Sequence, residues 1–262
     1  MYARRMPGQS DREVAERLVR AAGEIAVGLR GGPAGVKGLA TDVVTKADLR
    51  AEAAMVELLR AERPGDGVRG EEGAAVAGGG GRSWLLDPVD GTLNYARGLP
   101  AWCSAACVVD SAGALACAVL DPVAGELWSA ARGEGTSSVL EAPALGDAVV
   151  ATFVDMRRRD DEVSSGIERV LREVGALRSV GCGTLELAWV AEGRLDAWVQ
   201  ADVEPWDWHP GALLVASAGG CVVEAGRWRV AARSAELASE LVACVGAGEL
   251  PAVRWRPQHA PD

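Results

Sequence analysis

Histidine is almost missing from this chain: His209 and His259 are the only two in 262 residues. Six cysteines are present (103, 107, 117, 182, 221 and 244), but none forms a C-x-x-C pair. A Cys/His zinc site therefore has little to be built from. A disulfide framework is not expected in a chain this long, so the thiols read as mostly buried and reduced, in a cytoplasmic protein. Phenylalanine occurs once and tyrosine twice, against nine tryptophans. No run approaches the roughly 18 uncharged apolar residues of a membrane span, and the basic N-terminus, MYARRMPGQSDREVAER, lacks the apolar stretch of a signal peptide. No membrane partner is expected. Positive charge is also short: 27 Lys and Arg against 37 Asp and Glu give a net charge of −10. A nucleic-acid backbone needs the opposite balance on its contact face, so no nucleic-acid partner is expected either. Internal repeats are absent.

What remains is ordinary globular stock, 49% hydrophobic and 24% charged, and long enough for one or two domains. Apolar spacing predicts a helix over 11–30 (Val14, Leu18, Ala21, Ile25, Leu29) and a second over about 45–63, with Thr45 as N-cap and Leu49, Ala53, Val56 and Leu59 as its apolar face. Pro64 stops that helix, and PGDGVRGEEG reads as a loop. The glycines at 78–81 read as a flexible surface loop. A strand at 83–86 enters D-P-V-D-G-T, and strands near 102–109, 114–120 and 126–131 follow as an antiparallel meander. From about 148 the pattern alternates: strand 148–154, helix 161–174, strand 177–180, helix from 183, strand 195–200, helix 207–218, strand 221–223 and helix 234–243. The reading is an α+β half over 1–145, carrying most candidate ligands, and an α/β half over 146–262, together one compact catalytic unit.

Five acidic positions sit at element boundaries, where solvation alone explains them poorly. Asp87 and Asp90 flank Pro88-Val89 at the end of an apolar strand, and Gly91-Thr92 turn the chain away. Glu71 lies between glycines just upstream, Asp207 opens a helix between Trp206 and Trp208, and Asp48 lies in the first turn of the second helix. Hard cations such as Mg²⁺ take oxygen ligands of this kind. D-P-V-D can offer two carboxylates and the Val89 carbonyl to one small volume, leaving the Gly91 and Thr92 N–H groups for an anion. Paired metal ions can polarise a phosphate, generate hydroxide from water and stabilise the departing oxygen.

Each piece also has a plain reading: D-P-x-D-G as a turn, E-E-G as a solvated loop, Asp207 as a helix cap. An aspartyl-nucleophile phosphatase of the haloacid dehalogenase kind places its two aspartates two apart, whereas Asp87 and Asp90 are three apart with a proline between them. Cys182 between Gly181 and Gly183 superficially suggests a nucleophile elbow, but no histidine is placed to serve as its base. One of Trp206 and Trp208 could wall a substrate pocket and favour a ring-bearing ligand.

The joint pattern resembles the inositol monophosphatase family. The residues that carry the resemblance are Thr41-Asp42-Val43-Val44-Thr45-Lys46-Ala47-Asp48, Gly70-Glu71-Glu72-Gly73, Trp84-Leu85-Leu86-Asp87-Pro88-Val89-Asp90-Gly91-Thr92-Leu93-Asn94-Tyr95, Arg178-Ser179-Val180-Gly181 with the helix after it, and Pro205-Trp206-Asp207. The resemblance extends from about 10 to 250. It implies a layered αβαβα sandwich of the inositol monophosphatase and sugar phosphatase type, a homodimer, and lithium sensitivity. It also implies two or three Mg²⁺ per site, with Glu71, Asp87 and the Val89 carbonyl on the first, and Asp87, Asp90 and Asp207 on the second. Glu71 helps place a weaker third through water. Thr92, hydrogen-bonded to Asp48, is then implied to activate a metal-bound water for in-line attack on phosphorus. Gly91 and Thr92 would cradle the phosphate, with Asp90, Asp207, Gly181, Cys182, Gly183 and Gln200 on the substrate. Gln200 stands where inositol-cleaving members usually carry Glu, with Asp202 and Glu204 nearby, and the region after Gly133 lacks the usual G-A-x-x-N-G turn. The expected activity is Mg²⁺-dependent hydrolysis of a small polyol or sugar phosphate. The alternatives are histidinol phosphate or 3′-phosphoadenosine 5′-phosphate as substrate and, more remotely, a non-catalytic metal-binding scaffold.

Overall fold

The computed structural model describes residues 10–30, 34–36, 43–135, 141–153 and 160–247. His259, Thr41 and Asp42 lie outside them. The chain divides into two compact units, the first running to Ala131 and including Pro205–Pro210, the second holding Arg132–Glu204 and the residues from Gly211 onward.

In unit 1 the elements are α1 (Asp11–Leu29), β1 (Ala34–Val36), β2 (Val43–Thr45), α2 (Lys46–Glu62), β3 (Gly67–Gly70), β4 (Ala75–Val76), β5 (Ser83–Asp90), α3 (Thr92–Ala96), β6 (Cys103–Asp110), β7 (Gly113–Asp121) and β8 (Glu126–Ala131). Ser10 starts α1 with a capping box: its hydroxyl accepts the Glu13 N–H, and its own N–H donates to Glu13 Oε2 at 2.8 Å. The main sheet has the order β4-β3-β5-β6-β7-β8, with β3 parallel to β5 and β5 to β8 antiparallel, the meander expected from the sequence. α1 and α2 bury Val14, Leu18, Met55 and Leu59 against Trp84 and Leu86 of the sheet. A fully buried side chain of this size contributes about 1.5–3 kcal/mol.

Three details depart from the sequence reading. PGDGVRGEEG is not all loop, because Gly67–Gly70 pairs in parallel with β5. The glycines at 78–81 are anchored: the Gly79 N–H donates to Gly65 O at 3.2 Å, and a Cβ on Gly78 would meet Gly67 N at 2.2 Å. The third lies on α2, where Leu49 is 54% exposed and Ala53 is exposed too, while Asp48 and Glu52 point inward beside Ala51, Met55, Val56 and Leu59.

Unit 2 contains β9 (Val149–Ala151), α4 (Asp161–Glu173), β10 (Ala176–Arg178), α5 (Gly183–Glu192), β11 (Ala197–Ala201), most of α6 (Pro205–Ser217), β12 (Cys221–Ala225), β13 (Trp228–Ala232) and α7 (Ala235–Cys244). Its sheet has the order β10-β9-β11-β13-β12, parallel across β9, β10 and β11 and antiparallel in the β12–β13 hairpin. α4 and α7 pack with Val150, Val199, Val230 and Trp228 in one core. Trp198, alternating with Ala197 and Val199, points to the other face, where it meets α5. With seven helices and two mixed sheets among the described residues, the fold is a layered α+β arrangement.

Candidate metal centre

The site begins with an irregularity in β5. Pairing with β6 runs in register from Ser83↔Val109 to Asp87↔Ala105, then shifts before Asp90↔Cys103. Pro88 has no N–H to donate to a ladder, and a bulge absorbs it. The backbone groups freed there find side chains: the Val89 N–H donates to Asp87 Oδ1 at 3.0 Å, and the buried Ser104 hydroxyl donates to Pro88 O at 2.7 Å. Gly91 then turns the chain in a left-handed conformation, φ 85°, open to glycine at little cost, and caps α3. Strand, bulge and turn place Asp87, Asp90 and Thr92 within six residues of chain.

One carboxylate oxygen from each of Asp87, Asp90 and Asp207 lies within 4.8 Å of the others. Asp207 arrives in the first turn of α6, after Pro205 at a position where proline's fixed φ suits a helix start. Glu71 follows β3, and its N–H donates to Leu86 O at 3.1 Å beside Asp87. Asp87 is 1% exposed. Burial first, then repulsion from Glu71, Asp90 and Asp207 and a lesser contribution from Cys103, hold its carboxyl well above the ordinary carboxylate range. Each of these charges is acidic. A cluster of hard oxygen donors with this one-signed field, buried at Asp87 and half-buried at Asp90 and Asp207, could hold a divalent cation.

Asp48 closes the other side of the arrangement. Thr45 and Asp48 form a capping box at the start of α2, in which the Asp48 Oδ2 accepts the Thr45 N–H at 2.8 Å and the Thr45 hydroxyl. The remaining oxygen, Oδ1, stands 3.2 Å from Thr92 Oγ1, which also lies 2.9 Å from Val89 O. Burial raises the Asp48 pKa, against the lowering effect of its bonds to Thr45 and Thr92.

Unit 1 thus assembles Asp48, Glu71, Asp87, Val89, Asp90, Gly91, Thr92 and Asp207. Gly181, Cys182, Gly183 and Gln200 belong to unit 2, where a Cβ on Gly183 would lie 3.7 Å from Gln200 Oε1 and 3.4 Å from the Trp198 ring. The turn before α5 is held by Glu186, fully buried, whose Oε1 accepts the Val180 N–H at 2.6 Å and whose Oε2 accepts Trp198 Nε1–H at 3.2 Å. Cys182 is fully buried, which does not suit an exposed nucleophile. Asp202 pairs with Arg227, whose Nε donates to it at 3.0 Å. Trp208 is buried, whereas Trp206 is half-buried beneath the Arg69 guanidinium, 5.1 Å from the ring centre. Glu52, buried on the inner face of α2, is not among the residues the sequence singles out, because a lone glutamate inside a helix reads as a solvated face.

The sequence profile of the inositol monophosphatase family matches residues 9–246. An inositol-1-monophosphatase of Mycobacterium leprae is 36% identical over 209 residues, covering 73% of this chain and 72% of that protein. A protein of Pseudomonas aeruginosa named Nus factor SuhB is 35% identical over 198 residues, covering 70% of this chain and 72% of its own length. Among solved structures, the extragenic suppressor protein SuhB of Bartonella henselae superposes with a TM-score of 0.82 at 27% identity, covering 90% of this chain and 98% of the other.

Proposed function

The chain belongs to the inositol monophosphatase family, and from that premise we propose that it is a Mg²⁺-dependent phosphomonoesterase acting on a small polyol or sugar phosphate. The observation that carries the reading is the convergence of Asp87, Asp90 and Asp207 within 4.8 Å, beside a threonine hydrogen-bonded to a buried aspartate. Magnesium, when bound, supplies Lewis acidity toward a phosphate oxygen and acidifies water near neutral pH. Glu71, Asp87, Asp90, Asp207 and the Val89 carbonyl would hold it.

The chain's own residues do the rest. The Thr92 hydroxyl can pass its proton to Asp48 Oδ1 while taking one from an attacking water. The raised pKa of Asp48 brings that carboxylate closer to the strength of a working base. As the first residue of a helix, Thr92 has an N–H with no acceptor inside that helix, and it can meet a phosphate oxygen. Gln200 can both donate to and accept from a substrate hydroxyl, where Glu only accepts. Gln200→Glu is therefore expected to change KM among polyol phosphates more than kcat.

The test is phosphate release from inositol 1-phosphate, fructose 1,6-bisphosphate, histidinol phosphate and 3′-phosphoadenosine 5′-phosphate, with Mg²⁺ and with or without Li⁺. The expected result is Mg²⁺-dependent turnover of the first, inhibition by Li⁺, and near-complete loss in Asp90→Asn. Hydrolysis that survives Asp90→Asn would sink the assignment, because a carboxylate that would hold the metal cannot be lost without weakening its binding. A second reading, a non-catalytic scaffold, draws on the relative named as a Nus factor. It wins if no phosphomonoester is turned over while Mg²⁺ still binds.

A further inference from the structure

Glu52 is 5% exposed on the inner face of α2, one turn after Asp48. Nothing in the reaction described above uses it. Both of its carboxylate oxygens are spent on one short loop: Oε2 accepts the Glu72 N–H at 2.8 Å, and Oε1 accepts the Ala74 N–H at 2.9 Å. Those two amides bracket the turn that follows Glu71. The chain makes room for the carboxylate at Gly70, where a Cβ would lie 2.0 Å from Glu52 Oε2. The same loop is stitched from its other side, by the Glu71 N–H to Leu86 O at 3.1 Å and the Gly70 N–H to Ala74 O at 2.8 Å.

We propose that Glu52 is a positioning residue for the metal centre: its carboxylate clamps the 70–74 turn and so fixes Glu71 beside Asp87. The physical case rests on charge-assisted hydrogen bonds, which are roughly twice as strong as neutral ones. It also rests on the repulsion the clamp must withstand. Glu71 and Asp87 repel each other, so without a cation the turn is driven to swing the Glu71 carboxylate away. A two-bond clamp on the backbone resists that swing without touching the ligand atoms. α2 then serves the site twice, holding Thr92 through Asp48 and the Glu71 turn through Glu52, on residues four apart on one helical face.

This proposal rests on the metal-dependent reading above, and its test separates the two. Glu52→Gln keeps the shape but presents an amide N–H₂ to one of the donors. Gly70→Ala leaves Glu52 in place and displaces its carboxylate, so it serves if the first variant folds poorly. Amide exchange in the metal-free protein, Mg²⁺ affinity by calorimetry, and phosphate release at saturating Mg²⁺ are measured on both. The expected result is faster exchange confined to the 70–74 turn, and Mg²⁺ affinity weaker by about tenfold, as for other groups that orient a ligand. Turnover is largely recovered at saturating Mg²⁺. If exchange in the turn quickens while Mg²⁺ affinity stays at the parent value, Glu52 is only a structural strut and the proposal is overturned. If affinity falls but the parent hydrolyses no phosphate ester, the clamp stands and the phosphatase reading fails.

Discussion

A threonine hydroxyl is a poor base by itself, so what Thr92 can do depends on what stands behind it. Its oxygen lies 3.2 Å from Asp48 Oδ1 and 2.9 Å from Val89 O, and it has one proton to offer. Thr92→Val keeps the volume and removes the relay. kcat is expected to fall by roughly 10²–10⁴-fold, the usual range for loss of a positioned acid or base, with Mg²⁺ affinity close to the parent value. Asp48→Asn keeps an oxygen near Thr92 but cannot take up a proton at neutral pH, so it should lose a similar factor. If the two act as one relay, the double variant is no slower than the worse single variant, which steady-state kinetics on the three proteins would show. Losses that multiply instead would mean separate roles.

At the scale of elements, β5 shows how the sequence builds the site and why only part of it could be read there. The D-P-V-D-G-T run is legible because proline forbids a regular ladder and glycine permits the left-handed turn. What the run does not reveal is that the strand continues through it to Asp90, with the bulge held from β6 by Ser104. Ser104→Ala leaves the buried Pro88 carbonyl without that donor and should cost about 1–3 kcal/mol. Thermal unfolding reads the loss, and Mg²⁺ binding weakens with it if the bulge sets the spacing of Asp87 and Asp90. α2 teaches the converse lesson. Hydrophobic periodicity put Leu49 and Ala53 on the inner face, yet both are exposed, because the inward positions are occupied by Asp48 and Glu52. Polar residues recruited to a site look like the solvent face to any scale that reads burial from hydrophobicity. The hairpin strand β13 is hidden for a related reason: Arg227 precedes it and Arg229 interrupts its apolar run, and the turn at Gly226 looks like any other glycine. Strand 126–131 and the start of α4 are legible because no candidate site residue interrupts their patterning.

For the whole molecule, the net charge of −10 is not evenly felt. Carboxylates such as Glu13 and Asp160 sit in the open at helix starts, where hydrogen bonds from Ser10 and from the Val163 N–H respectively lower their pKa values. They contribute stability above the ordinary carboxylate range, and it is lost as pH falls through their depressed values. Asp87 has the opposite sign. Its pKa is raised well above the usual range by burial and by Glu71, Asp90 and Asp207, so its protonated form favours folding and its ionised form opposes it. That contribution is fully present below the unfolded-state value and disappears as pH rises through the folded one. In chelator-treated protein the melting temperature should therefore rise as the pH is lowered from neutral, pass a maximum at mildly acidic pH, and fall only when the helix-start carboxylates protonate. Mg²⁺ relieves the same repulsion without a proton. It binds the folded state and stabilises it by about 2.7 kcal/mol at one hundred times its dissociation constant, so saturating Mg²⁺ should move the maximum toward neutral pH. Asp87→Asn should raise the metal-free melting temperature at neutral pH while abolishing most of the Mg²⁺ effect. A chelated protein whose stability declines steadily on acidification would mean that the cluster is neutralised by something other than protons or cations, and the reading of this site as a metal centre would have to be given up.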